Sequence, residues 1–217
     1  MTFNNKNYNN ILEDIKKNQQ IGQFSQIIAV SKEKPTNDIN EAISCGVKHF
    51  GENRVQEASN KFIDIKKSNY NVKLHLLGPL QTNKVGKALE VFDYFHTLDR
   101  EKLATELVKD KYRQLTSKKQ FFIQINTGDE VQKFGISPKN ADEFISFCTK
   151  DIFLNVVGLM CIPPISEDPK SHFIFLKKLA TKHELKHLSM GMSHDYITAL
   201  QEGATFIRVG TLIFGKR

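Results

Sequence analysis

The sequence is poor in cysteine and has no hydrophobic segment of membrane-spanning length. Its three cysteines are Cys45, Cys148 and Cys161, and none forms a C-x-x-C pair. A disulfide scaffold or a metal site is therefore not expected, and buried packing is the expected role of these thiols. No apolar run approaches the ~20 residues of a transmembrane helix, and the polar N-terminus has no hydrophobic signal segment. These absences predict a cytoplasmic protein with no membrane partner.

The charge of the chain is positive but evenly spread. Lysine and arginine together number 31 against 24 acidic residues, which gives a formal net charge of +7. No basic cluster is interleaved with aromatic residues in the pattern of RNA-binding proteins, so nucleic-acid binding is not expected. A diffuse positive field also favours small phosphorylated ligands.

Short β-rich runs alternate with amphipathic helical patterns along the whole chain. The predicted strands are 26–31, 48–52, 73–78, 94–98, 120–126, 155–160, 186–191 and 205–210. The predicted helices are about 8–18, 37–45, 53–67, 81–91, 99–115, 139–149, 168–183 and 194–203. Eight β-α units predict a single-domain (β/α)8 barrel over residues 1–217, with an extra N-terminal helix and with residues 1–7 frayed. The alternative is a doubly wound open sheet, although no G-x-G-x-x-G motif follows the first strand.

Two glycine-containing segments follow the last two predicted strands. Strand 7 ends in "SMGMS", with Gly191 and Ser193, and strand 8 ends in "RVGTLIFG", with Gly210 and Thr211. The loops after strands 7 and 8 form the usual phosphate site of this barrel, because helix N-termini and open backbone N–H groups bind phosphate. Taken singly, each segment also fits a turn glycine or a helix cap. The presence of both after the right two strands favours phosphate binding.

Alternation along the strands turns two cationic side chains toward the barrel interior. Phe206 and Arg208 share one face of strand 8. An inward Arg208 is either one partner of a buried ion pair or a fixed donor aimed at a ligand.

Lys32 shares the inward face of strand 1 with Ile28 and Val30. Desolvation and a neighbouring cation lower the pKa of an amine and make it nucleophilic. A lysine opposite a phosphate site indicates a Schiff base, in either a class I aldolase or a pyridoxal 5′-phosphate (PLP) protein. From the residues alone, Lys32 also remains compatible with a surface charge. Three other lysines at strand ends or in loops compete with it, namely Lys34, Lys84 and Lys133.

Six motifs in register carry a resemblance to a known family. They are "AVSKEKP" (29–35), "FGENRVQE" (50–57), "HLLGPLQTNK" (75–84), "GLMCIPP" (158–164), "SMGMSHD" (189–195) and "RVGTLIFG" (208–215). Together they resemble the pyridoxal phosphate homeostasis proteins over nearly the whole chain. The resemblance implies a barrel like the N-terminal domain of alanine racemase, with PLP as cofactor.

The resemblance also implies a role for each site residue. Its implied cofactor-binding residues are Lys32 as the Schiff-base lysine, Ser193, Gly210 and Thr211 at the phosphate with help from Met192, Arg208 facing the pyridine nitrogen, and Asn53 near the ring. Because a guanidinium only donates hydrogen bonds, Arg208 would leave the pyridine nitrogen unprotonated and the ring a poor electron sink.

The family is regarded as regulating vitamin B6 and amino-acid pools, with no firmly assigned reaction. The chain ends soon after Gly215, so the second domain that supplies the opposite-face base in racemases is not expected. We therefore expect a monomeric PLP carrier that supplies PLP-dependent apo-enzymes, with no catalytic residue and no robust enzyme activity. A weak PLP-dependent amino-acid racemase is the alternative. The chain departs from the family at Arg54, where tyrosine is frequent, and His194 is expected to be a solvated helix residue.

Overall fold

The computed structural model describes residues 3–68, 71–130 and 132–215, and parallel strands in these ranges close into a barrel. The strands are β1 (Gln26–Val30), β2 (His49–Glu52), β3 (Lys73–Leu76), β4 (Tyr94–Leu98), β5 (Gln120–Ile125), β6 (Val156–Cys161), β7 (His187–Ser189) and β8 (Phe206–Val209). Neighbours in the barrel follow the order of the sequence, and β1 closes it by pairing with β8, Ala29 opposite Val209. The predicted (β/α)8 barrel is confirmed, and the open-sheet alternative is wrong.

Helices surround the barrel; α1 precedes β1, α10 follows β8, and the others connect consecutive strands. They are α1 (Asn5–Asn18), α2 (Thr36–Ser44), α3 (Val55–Ser68), α4 (Val85–Val91), α5 (Glu101–Leu107), α6 (Arg113–Thr116), α7 (Ala141–Ser146), α8 (Pro169–Lys182), α9 (Tyr196–Gln201) and α10 (Thr211–Phe214). Short 3₁₀ turns precede α4, α6 and α7, and a π-helical turn follows α7.

Side-chain alternation divides the core into two layers. Ile28, Phe122, Met160 and Phe206 form a small cluster inside the barrel. The other parity, including Ala29 of β1, belongs to the larger cluster that packs under the helices. The predicted inward face of β1 and β8 is therefore the observed one, because strand side chains alternate with a period of two.

The prediction that residues 1–7 are frayed is wrong for residues 3–7, and residues 1 and 2 lie outside the described residues. Helix α1 begins at Asn5 and is capped by Asn4, whose side chain accepts a 2.9 Å hydrogen bond from the Asn7 N–H. Phe3 is only 4% exposed and contacts the Phe214 ring at a centroid distance of 5.6 Å. An asparagine N-cap and a buried aromatic anchor explain the order of this segment. The N-terminal helix is thereby attached to α10, beside the mouth of the barrel.

The predicted helix over 99–115 is also wrong, because it breaks into α5, a 3₁₀ turn and α6. Lys109 adopts an extended conformation (φ −56°, ψ 142°) that ends the first helix. The Thr116 hydroxyl donates a 2.7 Å hydrogen bond to the Leu107 carbonyl, which takes the place of a helical N–H donor. Apolar periodicity continues across this break, so periodicity alone does not reveal it.

Among the helices in the described ranges, none has the length and apolar character needed to cross a membrane. Within the same ranges, no three side chains of histidine, cysteine, aspartate or glutamate are grouped so that they could hold a metal ion.

Candidate cofactor site

A cavity of about 320 Å³ lies at the carboxyl end of the barrel strands. Its lining consists of Val30, Lys32, Lys34, Asn53, Leu77, Met160, Ile162, Met192, Ser193, His194, Arg208, Gly210, Thr211 and Gly215. All seven residues that the sequence analysis proposes for cofactor binding are among them. The structure brings these residues together from four strand ends that are distant in sequence, and their roles toward a ligand remain predictions.

Lys32 enters the cavity from a tight turn that follows β1. The strand ends at Val30, one residue earlier than the sequence predicts. The Lys34 N–H donates to the Ser31 carbonyl at 3.0 Å, which closes a turn around Lys32. Glu33 adopts a positive φ of 61°, which is uncommon outside glycine and fixes the direction of the chain. Lys32 is half-buried and lines the cavity.

A buried polar network fixes the backbone behind Lys32, and sequence reasoning missed it. The Ser31 hydroxyl donates to Glu52 Oε1 at 2.6 Å. Lys61 Nζ, from α3, donates to the Ser31 carbonyl at 3.0 Å and to Glu52 at 3.2 Å. Glu57 accepts from Lys61 at 2.6 Å and from the Glu33 N–H at 2.5 Å. The sequence feature that could have revealed this network is the helical i,i+4 spacing of Glu57 and Lys61, which follow a glutamate at a strand end.

The carboxylate of Glu52 is fully buried in this network. Burial raises its pKa, and the hydrogen bond from Ser31 and the charge of Lys61 oppose that rise. A buried carboxylate needs such partners because desolvation without them is costly.

The loop after β7 is shaped by a glycine and an aspartate. Gly191 has a φ of +88°, and a Cβ atom there would lie 2.5 Å from the Cβ of Ala199. Asp195 accepts a 2.6 Å hydrogen bond from the Met192 N–H, and its own N–H donates to the Met192 carbonyl at 3.1 Å. This closed turn places Met192 and Ser193 on the cavity wall.

The loop after β8 leads directly into the short helix α10. The Gly210 carbonyl accepts from the N–H groups of Ile213 at 3.0 Å and Phe214 at 2.8 Å. The N–H of Thr211 lies in the first turn, where a helix provides no carbonyl partner. A Cβ on Gly210 would lie 3.1 Å from the Val30 carbonyl oxygen, so glycine permits a close approach to β1. Exposed polar backbone thus faces the same cavity as Ser193.

Arg208 forms the floor of the cavity and is only 5% exposed. Its Nη1 donates to the Ser189 hydroxyl and its Nη2 to the Cys161 carbonyl, each at 2.9 Å. Burial lowers the pKa of the Arg208 guanidinium, although an arginine of this kind stays charged. In the described ranges no carboxylate lies within salt-bridge distance of it, so the ion-pair interpretation is not supported there.

The three lysines that compete with Lys32 in the sequence analysis, and Arg54, lie in different places around the site. Lys34 lines the cavity and donates to the Gly215 carbonyl at 3.2 Å. Lys84 and Arg54 line a neighbouring cleft of about 700 Å³ that shares Asn53 with the cavity. Lys133 forms an ion pair with Glu130.

His194 lines the cavity rim, and its side chain is 61% exposed, as predicted. The prediction that it is a helix residue is wrong, because it lies in the turn before α9. The thiols of Cys148 and Cys161 are buried, and burial raises the pKa of each to about 12. Cys45 is half-buried. A thiol with so high a pKa is unreactive at neutral pH.

The whole described barrel is similar to proteins of known family. The family model for the N-terminal domain of alanine racemase matches residues 7–217. A pyridoxal phosphate homeostasis protein of Aquifex aeolicus is 37% identical over 202 residues, which cover 89% of this chain and 87% of the relative. The chain belongs to the pyridoxal phosphate homeostasis family.

Two solved structures show the same fold. PipY of Synechococcus elongatus, solved with PLP bound, is 33% identical with a TM-score of 0.77, covering 94% of this chain and 98% of PipY. Alanine racemase of Corynebacterium glutamicum is 14% identical with a TM-score of 0.69, covering 100% of this chain and 62% of the racemase, and so shares the fold.

Proposed function

We propose that this protein binds PLP as a Schiff base on Lys32 and acts in PLP homeostasis and supply rather than in robust catalysis. The observation that carries the proposal is the convergence of an amine, a buried cation and exposed loop backbone in one cavity of about 320 Å³. The membership in the homeostasis family and the PLP bound to PipY support it.

The residues of the cavity fit this cofactor. Lys32 supplies the amine that would condense with the aldehyde. The Ser193 hydroxyl and the backbone N–H of Thr211 would hold the phosphate, where Gly210 leaves the wall open. Met192 and Asn53 would flank the ring, and Arg208 would face the pyridine nitrogen. When bound, PLP supplies an electrophilic carbon and an electron-withdrawing ring.

Arg208 is the reason for proposing storage and supply over turnover. Its guanidinium has no acceptor atom and no readily lost proton, so it can donate to a pyridine nitrogen but cannot protonate it. An unprotonated ring withdraws electrons weakly and disfavours carbanion chemistry.

PLP-dependent apo-enzymes are the proposed acceptors, and a cytoplasmic monomer comprising a single barrel domain is the proposed form.

The visible absorption of the purified protein tests this proposal. Wild-type protein incubated with PLP and passed through a desalting column should keep a visible absorption band. Lys32→Ala should lose the band, whereas Lys34→Ala, two residues away on the same cavity wall, should keep it. A wild-type protein that retains no PLP, or equal bands in wild type and Lys32→Ala, would contradict the proposal.

The alternative function is a weak PLP-dependent amino-acid racemase. The observation that favours it is that the His194 imidazole, a side chain of the type that acts as a general acid or base, lines the cavity together with Lys32. A racemase needs an acid or base on each face of the substrate carbon. Chiral analysis of alanine after long incubation with loaded protein distinguishes the two functions. Racemisation no faster than with free PLP excludes the racemase, and faster racemisation that His194→Ala abolishes would establish it.

A further inference from the structure

An unbroken chain of hydrogen-bonded side chains runs from the floor of the cavity through the barrel interior. Arg208 Nη1 contacts the Ser189 hydroxyl at 2.9 Å, and the same hydroxyl lies 2.9 Å from His96 Nδ1. His96 Nε2 lies 2.8 Å from His75 Nδ1, and His75 Nε2 lies 2.9 Å from His49 Nδ1. Strands β8, β7, β4, β3 and β2 each contribute one member.

The interior of the barrel holds these imidazoles rigidly. Ser189, His75 and His96 have no exposed surface. The His75 ring stacks on Tyr94 and the His96 ring stacks on Phe122, each at a centroid distance of 4.3 Å. Apolar packing alone does not require three histidines here, since most inward positions of such barrels are aliphatic.

The cation at one end of the chain sets the direction of every hydrogen bond in it. A guanidinium only donates, so the Ser189 oxygen accepts from Arg208. The Ser189 hydrogen then needs an acceptor, and in the described residues His96 Nδ1 is the remaining partner at hydrogen-bond distance. A proton on His96 Nδ1 would instead leave the buried Ser189 hydrogen unpaired, so His96 carries its proton on Nε2 and donates it to His75.

The same rule continues along the chain to its far end. His75 accepts on Nδ1, so it carries its proton on Nε2 and donates it to His49. A second proton on either interior ring would face the hydrogen of its neighbour and would add a charge near Arg208. The geometry thus favours neutral His75 and His96 over their charged forms. Their surroundings agree, because burial lowers the pKa of both well below the usual value.

We propose that Ser189 and His96 are positioning residues that fix the Arg208 guanidinium toward the cofactor, and that the neutral His96–His75–His49 chain holds them in a single orientation. The Ser189 oxygen presents a lone pair to Arg208 only while its hydrogen is committed to His96. If the hydrogen bond to Ser189 is lost, Arg208 keeps its hydrogen bond to the Cys161 carbonyl. The guanidinium is then free to rotate about that single bond. The effect on the cofactor rests on the proposed function, whereas the orientation of the chain does not.

The orientation is tested on the protein without PLP. Nitrogen-15 NMR distinguishes the two neutral tautomers of histidine from each other and from the cation. At pH 7, His75 and His96 are expected as neutral tautomers protonated on Nε2. A proton on Nδ1 of His96, or a charged ring at either position, would overturn the proposed direction whatever the protein does with PLP.

The positioning role is tested by three single substitutions of histidines in the barrel interior. His96→Asn keeps an acceptor near the position of Nδ1, whereas His96→Phe removes it. His187→Phe is the control, since His187 lies in the same interior and its buried Nδ1 has no hydrogen-bond partner among the described residues. PLP affinity and the absorption spectrum of the bound cofactor are measured against pH for each.

We expect His96→Phe to weaken PLP binding by about tenfold, the change that corresponds to about 1.4 kcal/mol, and to move the absorption maximum. His96→Asn should restore most of both losses, and His187→Phe should stay within about twofold of wild type. Ser189→Ala serves in place of His96→Phe if that variant does not fold.

An unchanged affinity and spectrum in the acceptor-free variant would overturn the positioning role. An equal loss in His187→Phe would do so as well, because it would show a general packing effect. If wild-type protein itself binds no PLP, the proposed function fails, and the NMR result still decides the orientation of the chain.

Discussion

The Ser31 hydroxyl donates a 2.6 Å hydrogen bond to the buried carboxylate of Glu52, immediately before Lys32 in the chain. Lys61 closes the same network from the adjacent helix. The amine proposed to hold PLP is therefore carried on a turn that is held from behind by two strands and one helix. Such support limits the motion of the Lys32 backbone, which favours a fixed approach to the ligand.

Removing the charge of Lys61 should destabilise the fold and loosen this turn. Lys61→Met leaves Glu52 buried without its cation, which costs about 3–5 kcal/mol. Urea denaturation measures the loss at pH 7. Lys67→Met, on the same helix but with a side chain that is 72% exposed in its pair with Asp64, should cost less than about 1 kcal/mol. Equal stability of the two variants would contradict the structural role of Lys61.

The interior histidines should make stability fall in mild acid. Burial lowers the pKa of His49 to about 4, whereas an unfolded histidine titrates near about 6.5. Below about pH 6.5 His49 binds a proton in the unfolded chain but not in the folded chain. The free energy of unfolding therefore has its full value above that pH and decreases as the pH drops toward 4. For His49 alone the loss is about 3 kcal/mol at most.

Urea denaturation at several pH values between 7 and 4.5 measures this dependence. His49→Asn should reduce its slope and leave the part contributed by His75 and His96, whose pKa values are also lowered by burial. The same slope in wild type and His49→Asn would show that His49 is not buried in neutral form.

Gly191 should tolerate no side chain. A Cβ there must occupy a left-handed conformation and lie 2.5 Å from the Ala199 Cβ. Gly191→Ala should cost about 3 kcal/mol, from backbone strain together with overpacking, and should weaken PLP retention through the displaced Ser193 loop.

Gly46→Ala is the matched control for Gly191. Gly46 has nearly the same φ, +89°, but no atom lies within 4 Å of the added Cβ. It should lose only about 1 kcal/mol and keep its PLP. Thermal denaturation of both variants checks the difference, and equal costs would show that contact with Ala199 has no effect.

The hydroxyl of Tyr196 should stabilise the attachment of the N-terminal helix to the barrel. It donates a 2.6 Å hydrogen bond to Asp14 of α1, and burial, together with Asp14, raises the pKa of Tyr196 to about 12. Tyr196→Phe should cost about 1–2 kcal/mol. In a double-mutant cycle, Asp14→Ala should have little further effect once the hydroxyl is gone. Fully additive losses would argue against a direct interaction.

The fold and the ligand-facing residues could be predicted from the sequence because both depend on short-range patterns. A period of two turned Lys32 and Arg208 inward, and glycine-containing loops after β7 and β8 marked the place of Gly191 and Gly210. These inferences need no knowledge of how one strand is aligned with the next.

The supporting networks could not be predicted in the same way. Whether His49, His75 and His96 meet depends on the stagger between neighbouring strands, which a single sequence does not fix. The contact between Phe3 and Phe214 joins the two ends of the chain, and a polar, asparagine-rich start gave no sign of it. The missed features are long-range contacts between residues that each fit an ordinary local role.

The most direct test of the central claim is to locate the covalent attachment of PLP. Protein incubated with PLP is reduced with borohydride, which fixes a Schiff base as a stable amine, and is then digested and sequenced by mass spectrometry. We predict a pyridoxyl group on Lys32, with the same modification absent from Lys32→Ala. A pyridoxyl group predominantly on Lys34 or another lysine, or an unmodified chain, would contradict the account.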